Sequence, residues 1–144
     1  MKFALFRTLL VVMGLICISS ATSPSVELYG IEDASSVFNE HEYVLAFFFE
    51  PWCETCDLFE QIFASINDHL AKASPPIKCI RVNVSERIEA RTFYGIYSYP
   101  HLTLMYKGFP IHYDGNLKHD LILKWVARRI VKSLVPLKPE RIAY

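Results

Sequence analysis

Trp52-Cys53-Glu54-Thr55-Cys56 follows the uninterrupted apolar run Val44-Leu45-Ala46-Phe47-Phe48-Phe49 and leads into a stretch with helical periodicity. Two cysteines three apart, set where a strand passes into a helix, can close a disulfide within the first helical turn. The outer thiol then sits at the positive end of the helix dipole, which stabilises its thiolate and makes it a nucleophile near neutral pH. Chain order therefore points first to thiol–disulfide chemistry.

Working outward, the alternation continues on both sides of that stretch. Val26 to Tyr29 reads as a short first strand, and Asp33 is placed to cap a brief helix through Val37 and Phe38. Tyr43 to Phe49 is apolar on both faces, as central strands covered by helices are. From Cys53 to about Lys72, Phe59, Ile62, Phe63, Ile66 and Leu70 recur at the spacing of one helix face, until Ser74-Pro75-Pro76 stops it. A strand around Cys79 follows. Ser85 is then placed to cap a short helix that Gly95 terminates. Leu102–Tyr106 and Pro110–Tyr113, joined by Lys107-Gly108, read as an antiparallel hairpin. Asp120 opens the last helix, whose Leu121, Trp125 and Ile130 can face the sheet. The sum is an α/β fold, a three-layer sandwich with a mixed central sheet.

The chain has 144 residues, of which 52% are hydrophobic, enough for one domain with a real core. At the N-terminus, Lys2 and Arg7 flank an apolar segment from Leu9 to Ile18, followed by Ser19-Ser20-Ala21. That apolar core is roughly half the ~20 residues a spanning helix needs, so it reads as a secretory signal peptide over residues 1–21. An uncleaved anchor is the alternative, and the membrane is a partner only in that case. The domain expected is 22–132, with a short tail over 133–144. Loss of Lys2 and Arg7 leaves 13 of the 15 basic residues against 15 acidic ones, a near-neutral surface with no call for nucleic acid as partner.

Cysteine usage fits an oxidising compartment. Cys17 leaves with the signal, and Cys53, Cys56 and Cys79 remain. One close pair and one odd cysteine is a catalytic pattern rather than a disulfide framework. Cys79, within Ile77-Lys78-Cys79-Ile80-Arg81-Val82, is expected as a free core cysteine. His41, His69, His112 and His119 show no ligand spacing with the cysteines, so no metal or other cofactor is expected; a zinc site at Cys53 and Cys56 needs two further ligands. His101 is expected as a solvent-facing histidine at a strand start that can tune the cysteine pair. Asn83-Val84-Ser85 is a glycosylation sequon at a strand end. The 18 Phe and Tyr residues are mostly core, with Tyr97 and Tyr99 expected exposed and able to grip unfolded peptides. The tail Arg141-Ile142-Ala143-Tyr144 is not a retrieval signal of the Lys-Asp-Glu-Leu type, so the endoplasmic reticulum lumen and secretion are both open.

Three segments, Phe48-Phe49-Glu50-Pro51-Trp52-Cys53, Tyr94-Gly95-Ile96-Tyr97-Ser98-Tyr99-Pro100 and Tyr113-Asp114-Gly115 followed by Trp125, occur in the order found in the thioredoxin superfamily. From about Val26 to Arg129 the chain resembles a single catalytic domain of the protein disulfide isomerases. The resemblance implies a thioredoxin fold and a protein disulfide oxidoreductase acting on cysteine-containing client proteins of the secretory pathway. It implies Cys53 as the attacking thiol, Cys56 as the resolving one, Trp52 as a wall of the site, and a cis Pro100 that sets the Tyr99 backbone to dock substrate. The departures are specific. The family buries an acid where this chain has Phe47, and isomerases carry an arginine where this chain has Asn116, with Lys118 close by. Glu54-Thr55 replaces the Gly-His that keeps the outer thiolate charged, and with Glu50 and Asp57 adjacent the pair should be a weaker oxidant. Phe47 and Asn116 are what an adaptor or chaperone-like binding module with a barely active pair would show.

Overall fold

The computed structural model describes residues 26–134; the segment expected to be a signal peptide, Cys17 within it, and the expected tail beyond 134 lie outside them. In chain order the elements are β1 (Glu27–Gly30), α1 (Ile31–Glu40), β2 (Tyr43–Phe49), α2 (Glu54–Leu70), β3 (Lys78–Asn83), α3 (Ile88–Tyr94), β4 (His101–Tyr106), β5 (Phe109–His112) and α4 (His119–Leu134). The five strands form one sheet in the order β1-β3-β2-β4-β5. β1, β3 and β2 run parallel, while β4 and β5 are antiparallel to their neighbours. The mixed three-layer thioredoxin sandwich expected from the sequence is what forms.

β2 explains why two layers of helix are needed. Its successive side chains alternate between faces. Tyr43, Leu45 and Phe47 join α2 and α4 in one core with Phe59, Phe63, Ile66, Ile122 and Val126. Val44, Ala46 and Phe48 join the other core with Ile31, Ala34, Val37 and Phe38 of α1 and the partly buried Ala90 and Tyr94 of α3. A strand with no polar face cannot be satisfied by a single layer.

Most element ends follow the chain as read, and three details differ. Gly30, not Asp33, is the N-cap of α1; Asp33 sits in the first turn, where with Glu32 it complements the helix dipole. Ser85 does not cap α3, whose N-cap is Arg87. The Ser85 N–H (3.0 Å) and hydroxyl (2.8 Å) both donate to Asn83 Oδ1, so the residue is held in a turn before the helix starts. On α4, Trp125 and Ile130 pack against the core as expected, but Leu121 is 41% exposed and the fully buried residues are Ile122 and Val126. Gly95 does end α3, in the left-handed conformation at φ 67°. Lys107 (φ 49°) and Gly108 (φ 80°) make the two-residue hairpin turn between β4 and β5.

Candidate functional site

Phe49 ends β2, and the chain turns through Glu50, Pro51 and Trp52 into α2. The Cys53 N–H donates to the Glu50 carbonyl (3.1 Å), which closes this turn. Cys53 is the N-cap of α2, and its Sγ accepts the Cys56 N–H at 3.2 Å. The same N–H also donates to the Cys53 carbonyl at 3.0 Å, so the helix start shares this donor between carbonyl and sulfur. Cys53 and Cys56 are joined in a disulfide with Cα atoms 5.2 Å apart. Cys53 is half-buried at the rim, while Cys56 is buried with Phe47 and Phe59 in the α2-side core. The pair therefore presents one accessible sulfur and hides the other.

The neighbours act on that accessible sulfur in opposite senses. Thr55 Oγ1 lies 3.4 Å from Cys53 Sγ, and since a disulfide sulfur carries no proton, the hydroxyl is the donor. Glu54 and Asp57, both exposed, stand in the same helical turn, where negative charge favours the helix but opposes a thiolate. Trp52 is 69% exposed beside the pair. The Tyr99–Pro100 bond is cis, as the family resemblance implies; Ser74–Pro75 is also cis.

The core that holds Cys56 is aromatic around Phe47. Phe47, 1% exposed, meets Phe59 edge-on at 4.9 Å and Phe63 at 5.4 Å. A buried thiol must lose its proton before it can attack, and Phe47, standing where the family resemblance implies an acid, is no acceptor. Cys79 lies free in the same core, and burial pushes its thiol up to about 12, with Lys78 pulling the other way. That makes it an inert core cysteine, as its strand context suggests.

Two residues, Tyr99 and His101, stand apart from their expected settings. Tyr99 is half-buried against both cores rather than exposed, with its hydroxyl's ionisation pushed upward by burial. Tyr97, at 85% exposed, does face solvent. His101 is not a lone solvent-facing histidine: its Nε2 lies 3.0 Å from His112 Nδ1, and Thr103 Oγ1 lies 3.2 Å from the same nitrogen. Burial, then the charge of His112, holds the His101 imidazolium below the usual histidine range. Asn83 ends β3, half-buried. Among the described residues, no three His, Cys, Asp or Glu side chains converge as metal ligands, and no helix is long and apolar enough to cross a membrane.

Sequence reasoning missed the buried charge of the site. Glu50, treated only as an adjacent negative charge, is 7% exposed, and its Oε1 pairs with Arg91 Nη2 of α3. Arg91 Cζ in turn lies 5.5 Å from the centre of the Tyr99 ring. The one available signal was a carboxylate directly continuing the apolar run of β2. Its partner, on a helix two elements later, could not be read locally.

Comparison with known proteins bears on this geometry. The thioredoxin family model matches residues 31–128. The protein disulfide-isomerase of Drosophila melanogaster is 27% identical over 99 residues, 69% of this chain and 20% of that protein. Protein disulfide-isomerase A4 of Rattus norvegicus is 30% identical over 84 residues, 58% of this chain and 13% of that protein. The chain thus spans a fifth or less of the length of these relatives. Among solved structures, the first thioredoxin domain of mouse protein disulfide-isomerase A4 superposes with a TM-score of 0.69 at 22% identity, covering 83% of this chain and 85% of that domain.

Proposed function

Because the chain belongs to the thioredoxin family, we propose that it is a thiol–disulfide oxidoreductase of the protein disulfide isomerase kind. The observation that carries this reading is Cys53 at the N-cap of α2, with its sulfur receiving the Cys56 N–H. In the reduced form the Cys53 thiolate attacks one sulfur of a client disulfide. A Cys53–client disulfide forms and a client thiolate leaves. Cys56 then attacks the Cys53 sulfur, closing Cys53–Cys56 and releasing the second client thiol, so two electrons pass to the client. The reverse sequence oxidises a client dithiol. No cofactor beyond the cysteine pair takes part. On the family resemblance we assign the docking ledge for an extended client segment to Trp52, next to Cys53, and to the backbone of Tyr99 before the cis Pro100.

The clients are cysteine-containing proteins of the secretory pathway, met in the endoplasmic reticulum lumen or after secretion. The leader read at residues 1–21 and the protein disulfide-isomerase relatives support that placement. Asn83 is the glycosylation position such a route offers. Glu54 and Asp57 beside Cys53 favour the disulfide state and make the pair a weak oxidant. Reduction of insulin by the full chain, and by Cys53→Ala, tests the reading: activity should vanish in the variant, and equal rates in both would remove it.

One observation favours a second reading, a weakly active adaptor or chaperone-like module: Phe47 lies in the same core as Cys56, at the position where the family resemblance implies an internal base. Cys56→Ala separates the two. An oxidoreductase accumulates mixed disulfides with clients at Cys53 in cells, whereas an adaptor accumulates none.

A further inference from the structure

Glu50 and Thr103 are the buried polar or charged side chains among the described residues. Long charged side chains are almost never buried without a partner, because the ion loses its hydration and needs a countercharge in return. Glu50 has one. Its Oε1 meets Arg91 Nη2, with the two side chains 8% and 30% exposed. An exposed ion pair would be screened into insignificance, and this one is largely withdrawn from water.

The position of the pair gives it a role. Through its backbone, Glu50 closes the turn that carries Cys53 to the helix start, accepting the Cys53 N–H at 3.1 Å. Arg91 lies on α3, where its carbonyl accepts the Ile96 N–H at 2.8 Å and so fixes the exit toward Tyr99. Its guanidinium also covers the Tyr99 ring at 5.5 Å, and Tyr99 directly precedes the cis Pro100. A single cation thus reaches the turn that presents Cys53 and the segment that ends in the cis Pro100. We propose that Glu50 and Arg91 are positioning residues, whose buried ion pair ties the turn presenting Cys53 to the Tyr99–Pro100 segment and keeps the charge behind the redox pair balanced. The proposal deepens the oxidoreductase reading and rests on it.

Balance of charge has a signature that mere structural support lacks. Neutralising Glu50 alone leaves a cation near Cys53, which stabilises the thiolate and favours the dithiol. Neutralising Arg91 alone leaves a carboxylate, which does the reverse. Loosening of the fold gives no such opposition of sign. The measurement is the equilibrium of the full chain with glutathione at pH 7, in which the disulfide and two glutathione thiols exchange with the dithiol and glutathione disulfide. E50Q should shift this equilibrium toward the dithiol and R91Q toward the disulfide, each by about threefold, the scale of one unit charge acting through a partly solvated medium. R91K, which keeps the charge, should stay with the wild type. The order E50Q above wild type above R91Q supports the proposal, and any other order overturns it. Should R91Q fail to fold, E50Q above wild type with R91K unchanged supports it, and E50Q at or below wild type overturns it. Insulin reduction by the wild type is measured alongside: its absence removes the oxidoreductase reading, while the glutathione order still decides whether the pair balances the charge.

Discussion

Phe47 stands where the family resemblance implies a buried acid. It sits fully enclosed by Phe49, Phe59 and Phe63, on the same side of the sheet as Cys56. Phe47→Glu should therefore do two things at once. It should speed resolution of a Cys53 mixed disulfide, by giving Cys56 an internal base. It should also cost about 3 kcal/mol or more of stability, from a lost ring and a buried carboxyl. Stopped-flow resolution and urea denaturation read the two effects separately; an unchanged resolution rate in the folded variant would contradict the base argument. His101 makes a second prediction. Its folded ionisation lies below the ordinary value of 6.5, so the unfolded chain binds more protons between the two. Stability is complete above the ordinary value and falls as pH drops through the folded one. Melting temperatures between pH 7.5 and 5 should fall less in His101→Gln than in the wild type; parallel slopes would exclude His101 as the source. Residues whose role is local could be read from the sequence, as with Cys53, Cys56 and the strand-buried Cys79. Glu50 with Arg91, and His101 with His112, could not, because each pair joins segments that meet only once the sheet is assembled.

The helices show where patterning is decisive and where it is ambiguous. α2 carries Cys56, Phe59, Phe63, Ile66 and Leu70 inward, a spacing that admits one face only. α4 begins with the run Leu121-Ile122-Leu123, which fits two adjacent helical phases equally, so packing rather than periodicity selects Ile122. The expected caps at Asp33 and Ser85 failed for different reasons. α1 starts directly where β1 ends, so Gly30 takes the capping position, and Asn83 captures Ser85 before α3 begins. Gly95 was legible because a left-handed helix end asks for glycine. Gly95→Ala should cost about 1–2 kcal/mol from the left-handed backbone alone. An added Cβ would also stand 3.1 Å from His112 Nε2. Urea midpoints check this, and a change of only a few tenths would mean that α3 can end in another conformation.

At the scale of the whole molecule, the alternation of elements was sufficient for the layered class, and the order β1-β3-β2-β4-β5 needed more. A strand apolar on both faces says that it is central, but not which strands flank it; only the assembled sheet shows β3 and β4 on its two sides. The fold then converts a sequence motif into a chemical asymmetry. β2 delivers the chain to the start of α2, so the first cysteine caps a helix at the rim while the second turns into the core. Everything functional depends on that asymmetry making Cys53 more acidic than a free thiol, against the opposing charges of Glu54 and Asp57. Alkylation of the reduced protein by iodoacetamide, followed at the Cys53 peptide across pH, measures it directly. The rate should reach half its plateau at a pH below the value of about 8.5 shown by free cysteine. A midpoint at or above that value would show that the helix start does not activate Cys53.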